Sequence, residues 1–500
     1  MRGRTIRVLI VLAWLVLTGW LVRYEAFPGW FAHTLPGYRG LLARGPMILD
    51  SWMRISFRDE PIGYSHTQMD TNEKDPSAQY VLNNRTVLHL NLLGEMQKIT
   101  VSAEAALDAL YELQRFSFGL HARRYAARIE GTRSGPREFR TRMTTGGQTR
   151  ALKVEVPPDT VLYSPMLELS VSQLQPGRQV KIRTVDPLSM TPLDLVVRAT
   201  GRETLRLPDG AVETTVLAMA FQGLETRAWM DSKGRIVRQE TPFGWVLEAC
   251  APNDAMALES GRRAGQADVL RAMAVPVTGD LPDPRGATTL TVRLEGLSLP
   301  ASRLATDRQS IVSESGGVVE LVSRGETEPR TDDTPQPMPE AMRPYLAATA
   351  FVQADDPEIR ARAADLTAGA ADRVRQVLAL YDFVCRKVEK RPTVSLPSAA
   401  DVLREMQGDC NEHTYLFVAL ARAAGIPAQI RIGLLYNEGA FYYHAWPAVF
   451  VGAWWELDPT IGQTAVDAAH ISLLEGELPN QLALLGMLGR LRAEIRGGEP

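Results

Sequence analysis

Three residues in the last fifth of the chain have the types and spacing for thiol acyl-transfer chemistry. They are Cys410 within Gly408-Asp409-Cys410-Asn411-Glu412-His413, His444 within Tyr443-His444-Ala445-Trp446, and Asp458 within Glu456-Leu457-Asp458-Pro459-Thr460. A thiolate can attack an acyl carbon, an imidazole can take and return the proton, and a carboxylate can fix the imidazole tautomer. Singly, each has an ordinary explanation: a small buried hydrophobe, a satisfied strand histidine, an Asp-Pro turn. The catalytic reading gains weight because all three fall where a secondary element begins or ends.

Those elements follow from periodicity. Tyr415, Leu416, Phe417, Leu420, Ala421 and Ala424 recur at helical spacing until Gly425 and Pro427 stop the pattern, so Cys410 opens a helix. Near a helix N-terminus the unpaired N–H groups and the positive end of the macrodipole favour an anion. A stabilised thiolate is therefore expected at Cys410, at about 1.4 kcal/mol per pKa unit, and the same N–H groups could receive an oxyanion. Ala428 to Tyr436 reads as a strand, Asn437-Glu438-Gly439 as a turn and Phe441 to Val451 as the next strand, antiparallel to a segment from Trp454 to Asp458. A two-residue loop at Gly452-Ala453 would put His444 and Asp458 on opposite faces. A three-residue loop or a bulge puts them on one face, and that odd loop is expected.

Neighbouring residues read differently. Gln407 could donate an amide to an oxyanion, but a polar residue before a helix is as often a solvated loop residue. His413, at i+3, projects alongside Cys410 without converging on its proton. His470 reads as a structural partner, and Trp446, Trp454 and Trp455 read as packing before cleft walls. Cys385 shares an apolar helical face with Leu378 and Tyr381, and Cys250 ends a strand-like run. Both are expected to be free thiols, with a bridge between them left open.

From about Leu396 to Gly476 the sequence resembles the bacterial transglutaminase-like superfamily, whose core is papain-like. The resemblance is carried by Gly408 to His413, the run Leu416 to Ala428, His444-Ala445-Trp446, Trp455 to Thr460, and Asp467-Ala468-Ala469-His470-Ile471-Ser472. It implies Cys410 as nucleophile, His444 as general base and acid, and Asp458 as orienting carboxylate. Members include cross-linking acyltransferases, peptidases, amidases and forms that have lost the triad; this chain keeps all three residues. No metal or organic cofactor is implied. The calcium used by some transglutaminases needs clustered oxygen ligands, which are not identifiable here.

Elsewhere the sequence sets the context. Met1 to Arg7 holds three arginines, and Val8 to Val22 is an uncharged apolar run. At about 1.5 Å per residue it spans roughly 22 Å, extended by flanking Arg7, Arg23 and Tyr24 toward the ~30 Å of a bilayer core. Without a small-x-small cleavage site this reads as an uncleaved signal anchor, a single inner-membrane pass with the body on the periplasmic side. Five hundred residues, 45% hydrophobic, with a net charge of −3, suit about three folded domains and no nucleic-acid binder.

The expected fold class is α+β. A transglutaminase-like domain, with a cysteine-bearing helix on an antiparallel sheet, follows antiparallel β-rich domains and one N-terminal transmembrane helix. The divisions are an anchor (1–30), a β-rich domain (50–250), a helix from Asn253 to Ala274 plus a small β unit (251–323), a proline-rich exposed linker (324–343), the catalytic domain (344–480) and a C-terminal helix (481–500). The expected function is cysteine-dependent acyl transfer or amide hydrolysis through a thioester on a protein or peptide substrate in the envelope. The alternative is a non-catalytic envelope binding module built on the β-rich region.

Overall fold

The computed structural model describes residues 33–34 and 50–499, except 73–74, 76–77, 109–112, 124, 136–137, 156–159, 163–170, 172–173, 186–191, 208–209, 222–223, 242–243, 330–337, 371, 394–397, 478–483, 485–486 and 488. The expected signal anchor lies outside the described residues. Among those described, no helix is long and apolar enough to cross a membrane.

The first half is one 16-stranded sheet. Two antiparallel meanders, running from Asp50–Phe57 to Gln148–Glu155 and from Gln179–Val185 to Trp245–Ala249, are joined where Trp245–Ala249 pairs with Met53–Phe57. Alternation explains it: along Glu138–Thr145 every second residue is buried, and along Tyr125–Arg133 the pattern is nearly as regular. The inward-facing set, including Met69, Leu82, Phe116, Ile129, Ile182, Leu195, Val197 and Met219, joins one core, so the sheet curls over its own inner face. A turn at Asp231 joins two of its strands, with Asp231 Oδ1 accepting from the backbone N–H groups of Lys233 and Arg235 at 2.9 Å.

The second sheet has nine strands: β1 (Val275–Thr278), β2 (Thr289–Glu295), β3 (Gln309–Ser315), β4 (Val318–Arg324), β5 (Ala428–Asn437), β6 (Ala440–Phe450), β7 (Trp454–Glu456), β8 (His470–Glu475) and β9 (Arg492–Glu499). Their order is β3-β4-β2-β9-β1-β6-β5-β8, with β7 on β6. Four helices accompany it, α1 (Pro357–Thr367), α2 (Arg373–Lys387), α3 (Ala399–Glu405) and α4 (Cys410–Ala423); α4 packs on β5 and β6, and the other three pack on α4. The helices and strands α4, β5 and β6 form its buried heart, where Tyr415 through Ala421 have no exposed surface.

Three expectations are corrected. The helix expected over 481–500 is not found over its last part: Arg492–Glu499 is β9, paired with β2 and β1, and Gly497-Gly498 is poor helix sequence. The leucine-rich part before it lies largely outside the described residues. The stretch Asn253 to Ala274 is not one helix but two short ones, Pro252–Met256 and Val269–Ala272, separated by turns at Gly261 and Gly265. The small β unit is not separate from the catalytic region, because β1 pairs with β6 through Val275 and Pro276 and with β9 through Val277 and Thr278. The linker between them is also tied down at its start, since Glu326 N donates to Val466 O at 2.7 Å.

Candidate active site

Cys410 is the first residue of α4, as its periodicity requires, and Asp409 caps the helix. Asp409 Oδ1 accepts from Asn411 N at 3.0 Å while Glu412 Oε2 accepts from Asp409 N at 2.9 Å, a reciprocal capping box. Gly408 must be glycine: its φ is +155° and a Cβ there would lie 2.2 Å from Glu412 Cβ. The hairpin tips of the first sheet brace this approach. Tyr125 donates its hydroxyl to Gln407 O at 2.6 Å, and Gly146 N donates to Asp401 Oδ2 at 3.0 Å. On its other side α4 lies on β6, where Thr414 Oγ1 donates to Ala445 O at 3.0 Å and the Cys410 sulfur faces the backbone amide of Ala445.

His444 lies on β6 immediately before Ala445. Phe450 pairs with Trp454, so the β6–β7 connection has three residues, Val451, Gly452 and Ala453. That odd number places His444 and Asp458 on one face as diagonal neighbours, and His444 Nε2 lies 2.6 Å from Asp458 Oδ2. Nδ1 of His444 is thereby left for the cysteine side, although among the described residues no hydrogen bond joins it to the sulfur. Opposite His444, Gly433 lets β8 approach so closely that a Cβ would meet Ile471 O at 1.9 Å.

Asp458 is fully buried and held from several directions. Its Oδ1 accepts from Thr460 N at 2.8 Å, and its Oδ2 also lies 3.2 Å from His470 Nε2. Burial alone would raise its pKa, but the charge and hydrogen bond of His444, joined by those of His470, hold the carboxyl far below the usual carboxylate range. His470 in turn places Nδ1 2.9 Å from Asp467 Oδ1, and Asp467 Oδ2 accepts from Arg285 and Gln463 at 2.8 Å. The ligand atoms of His444, Asp458 and His470 lie within 4.8 Å of one another. One carboxylate oxygen between two ring nitrogens at hydrogen-bond distance is accounted for by proton sharing, and no metal is needed to explain it.

Cys410 departs from expectation. Burial, then the negative charge of Asp409, pushes its thiol well above the ordinary value, with Glu412 and Asp458 adding to the effect and the Ala445 amide opposing it. The thiolate expected at the helix N-terminus is opposed chiefly by burial of the sulfur, and then by the carboxyl groups that the capping box puts at that end. Burial and the neighbouring Glu412 also raise Asp409 well above the usual range. The cap further removes donors expected for an oxyanion: the N–H groups of Asn411 and Glu412 go to Asp409.

The other residues singled out by sequence divide as follows. His413 points its Nδ1 at Asp409 O, 2.7 Å away, and is not turned toward the nucleophile. Gln407 contributes its carbonyl to Tyr125. Trp446 and Trp455 are core, the former donating from Nε1 to Glu456 Oε2 at 2.8 Å, and Trp454 packs edge-on against Tyr345. Cys250, Cys385 and Cys410 are all free, partly buried thiols. Sequence reasoning missed the buried ion cluster behind the site. Arg308 Nη2 donates to Glu456 Oε2 at 2.8 Å and to His470 O at 3.3 Å, tying the small β unit to the strands that carry Asp458 and His470. The Asp-x-x-Glu spacing was the one signal that could have revealed the cap.

This is a helix-borne cysteine beside a strand-borne histidine–aspartate pair on an antiparallel sheet, the arrangement of papain-like folds. Residues 360–459 form a transglutaminase-like domain, matching the family model of the transglutaminase-like superfamily. No curated protein matches the chain. Among solved structures, it is similar to a candidate cysteine protease from Cytophaga hutchinsonii (17% identity, 43% of this chain and 86% of that chain, TM-score 0.31). It is also similar to the periplasmic domain of TgpA from Pseudomonas aeruginosa bound to ethylmercury (18%, 42% and 94%, TM-score 0.27). A third is a β-barrel-like protein of a domain of unknown function from Brucella abortus (7%, 40% and 94%, TM-score 0.30). At such TM-scores these likenesses carry no weight for activity.

Proposed function

We propose that this protein is a cysteine-dependent acyltransferase or amide hydrolase acting on envelope-exposed protein or peptide substrates, with its N-terminal segment as membrane anchor. The observation that carries the reading is the 2.6 Å contact between His444 Nε2 and Asp458 Oδ2, with Cys410 on the helix packed against the next residue of the same strand. Burial and the charge of Asp409 hold the Cys410 thiol above its ordinary range, so its proton stays on sulfur until attack. Cys410 then loses its proton to His444 Nδ1 as it attacks the carbonyl carbon, so the C–S bond of a tetrahedral adduct forms as the S–H bond breaks, and the thioester follows when the adduct's C–N bond breaks. The Cys410 N–H, not engaged by the cap among the described residues, faces the developing oxyanion. The imidazolium, held by Asp458, returns the proton to the departing amine, and then deprotonates water in a hydrolase or an amine in a cross-linker.

The enclosed sulfur favours a second reading, a non-catalytic binding module in which the large sheet is the working part. The two separate in one experiment on the full chain: the rate of Cys410 alkylation against pH, read by peptide mass spectrometry with Cys250 and Cys385 as internal references. An enzyme gives a Cys410 rate with an inflection near neutral pH that vanishes in His444→Ala. A silent Cys410, or a curve indifferent to His444, moves the assignment to the binding module.

A further inference from the structure

His470 is not used by the mechanism above, yet it is fully buried and both of its ring nitrogens face carboxylates. Nε2 lies 3.2 Å from Asp458 Oδ2 and Nδ1 lies 2.9 Å from Asp467 Oδ1. Each carboxylate also accepts from donors other than His470. Asp458 accepts from His444 and Thr460 N, and Asp467 from Arg285, Gln463 and Ala469 N. A carboxylate oxygen can only accept, so both nitrogens of His470 must donate and the ring is an imidazolium.

We propose that His470 is a positioning residue for the triad: as an imidazolium between Asp467 and Asp458 it fixes the Asp458 carboxylate toward His444 and limits how tightly that carboxylate holds a proton on His444. This deepens, and rests on, the acyl-transfer reading of Cys410, His444 and Asp458.

The surroundings agree. Desolvation opposes a charged His470, but its hydrogen bonds to the two carboxylates and their charges outweigh it and raise its pKa. Trp446 packs edge-on against the ring at 5.1 Å, and the His444 ring lies 5.8 Å away. The other charged groups facing it are Arg308, which donates to its carbonyl, Glu456, which is paired with Arg308 and Arg431, and Arg285 behind Asp467. The Ser323 hydroxyl also donates to the His470 carbonyl, so the backbone cannot turn the ring away without breaking two contacts from the small β unit. The consequence is a triad whose aspartate already serves one cation. Such an aspartate orients the neutral His444 tautomer, Nε2 protonated and Nδ1 open, without drawing His444 into a permanent imidazolium.

The test uses the same alkylation curve of the full chain. In His470→Gln, which keeps a donor at that position and removes the charge, the His444-dependent inflection is expected to move up by roughly one pH unit, as loss of a nearby positive charge frees Asp458 to hold the His444 proton. A folded His470→Gln protein whose inflection is unmoved, or moved down, overturns the proposal while leaving the triad intact. A wild-type curve with no His444 dependence overturns the triad reading itself, and the proposal with it. Should His470→Gln not fold, nitrogen NMR of histidine-labelled wild-type protein decides. His470 is expected to show two protonated ring nitrogens at pH 8, and a neutral ring overturns the proposal.

Discussion

In the first sheet, charged side chains meet one another on the solvent side: Arg54 with Glu248, Lys181 and Arg183 with Asp194, and Arg238 with Glu240 and Glu248. In the second they meet inside. Arg308 and Arg431 flank Glu456, and His444 and His470 flank Asp458, with side chains that are at most 9% exposed. Exposed pairs contribute about 0–1 kcal/mol each, whereas burying an ion costs several kcal/mol that a partner merely offsets. The first sheet uses charge for solubility and register. The second keeps ions at a place where apolar residues of similar volume would hold the fold at least as well, which is the pattern of a site retained for chemistry.

The largest effect expected from breaking this contrast is at Asp458. Asp458→Asn keeps the shape but reverses the preferred His444 tautomer, and by analogy with serine triads should slow acylation of Cys410 by an activated ester on the order of 10⁴-fold. The readout is mass-resolved acylation by p-nitrophenyl acetate. A loss under tenfold would mean that the aspartate is a structural acceptor only, and the buried cluster would then need another explanation.

Next in size is stability. Arg308→Ala leaves Glu456 buried with Arg431 as its remaining cation and removes donors from the His470 and Arg324 carbonyls. A loss of about 3–5 kcal/mol is expected, against less than about 1 kcal/mol for Arg54→Ala in the first sheet. Urea midpoints of the two variants, taken side by side, decide the matter; equal losses would erase the distinction between the sheets. Leu416→Ala, with no exposed surface on α4, should cost about 2–5 kcal/mol and serves as the apolar standard.

The same contrast explains what could be read from the sequence. The first sheet was legible because inward and outward residues alternate locally, and so were α4, β5 and β6, where apolar periodicity and turn residues agree. The His444–Asp458 contact was legible because loop parity could be reasoned through, and the position of Cys410 because it opens a helix. What escaped depends on pairings distant in sequence. Nothing near Arg308 announces that it will reach Glu456, and nothing in the leucine-rich tail announces that Arg492–Glu499 will enter the middle of a sheet between β2 and β1. At Cys410 the helix terminus was credited with its positive end, while the burial of the thiol and the carboxyl groups that cap the helix were left out.

The smallest effect sharpens the comparison by its pH dependence. Glu259 fastens the segment after the first sheet back onto it, accepting from Tyr64 at 2.5 Å and from Lys98 at 2.7 Å and pairing with Arg85. Desolvation raises its pKa, but those hydrogen bonds and the two cations outweigh it and bring the carboxyl down to about 2 from 4.5. A folded-state pKa below the unfolded one means that the stabilisation is complete above about pH 4.5 and is lost as pH falls toward 2. Because the group is well solvated, the total should stay under about 1 kcal/mol. Glu259→Gln should therefore lower the urea midpoint slightly at pH 7 and not at all near pH 2. His470 has the opposite sign: its pKa is raised in the folded protein, so its contribution is whole below the unfolded value near 6.5 and is lost only as pH rises through the folded one. A Glu259→Gln deficit that persists undiminished at pH 2 would show that Glu259 acts through packing, and the first sheet's charges would then resemble the second sheet's more than their exposure suggests.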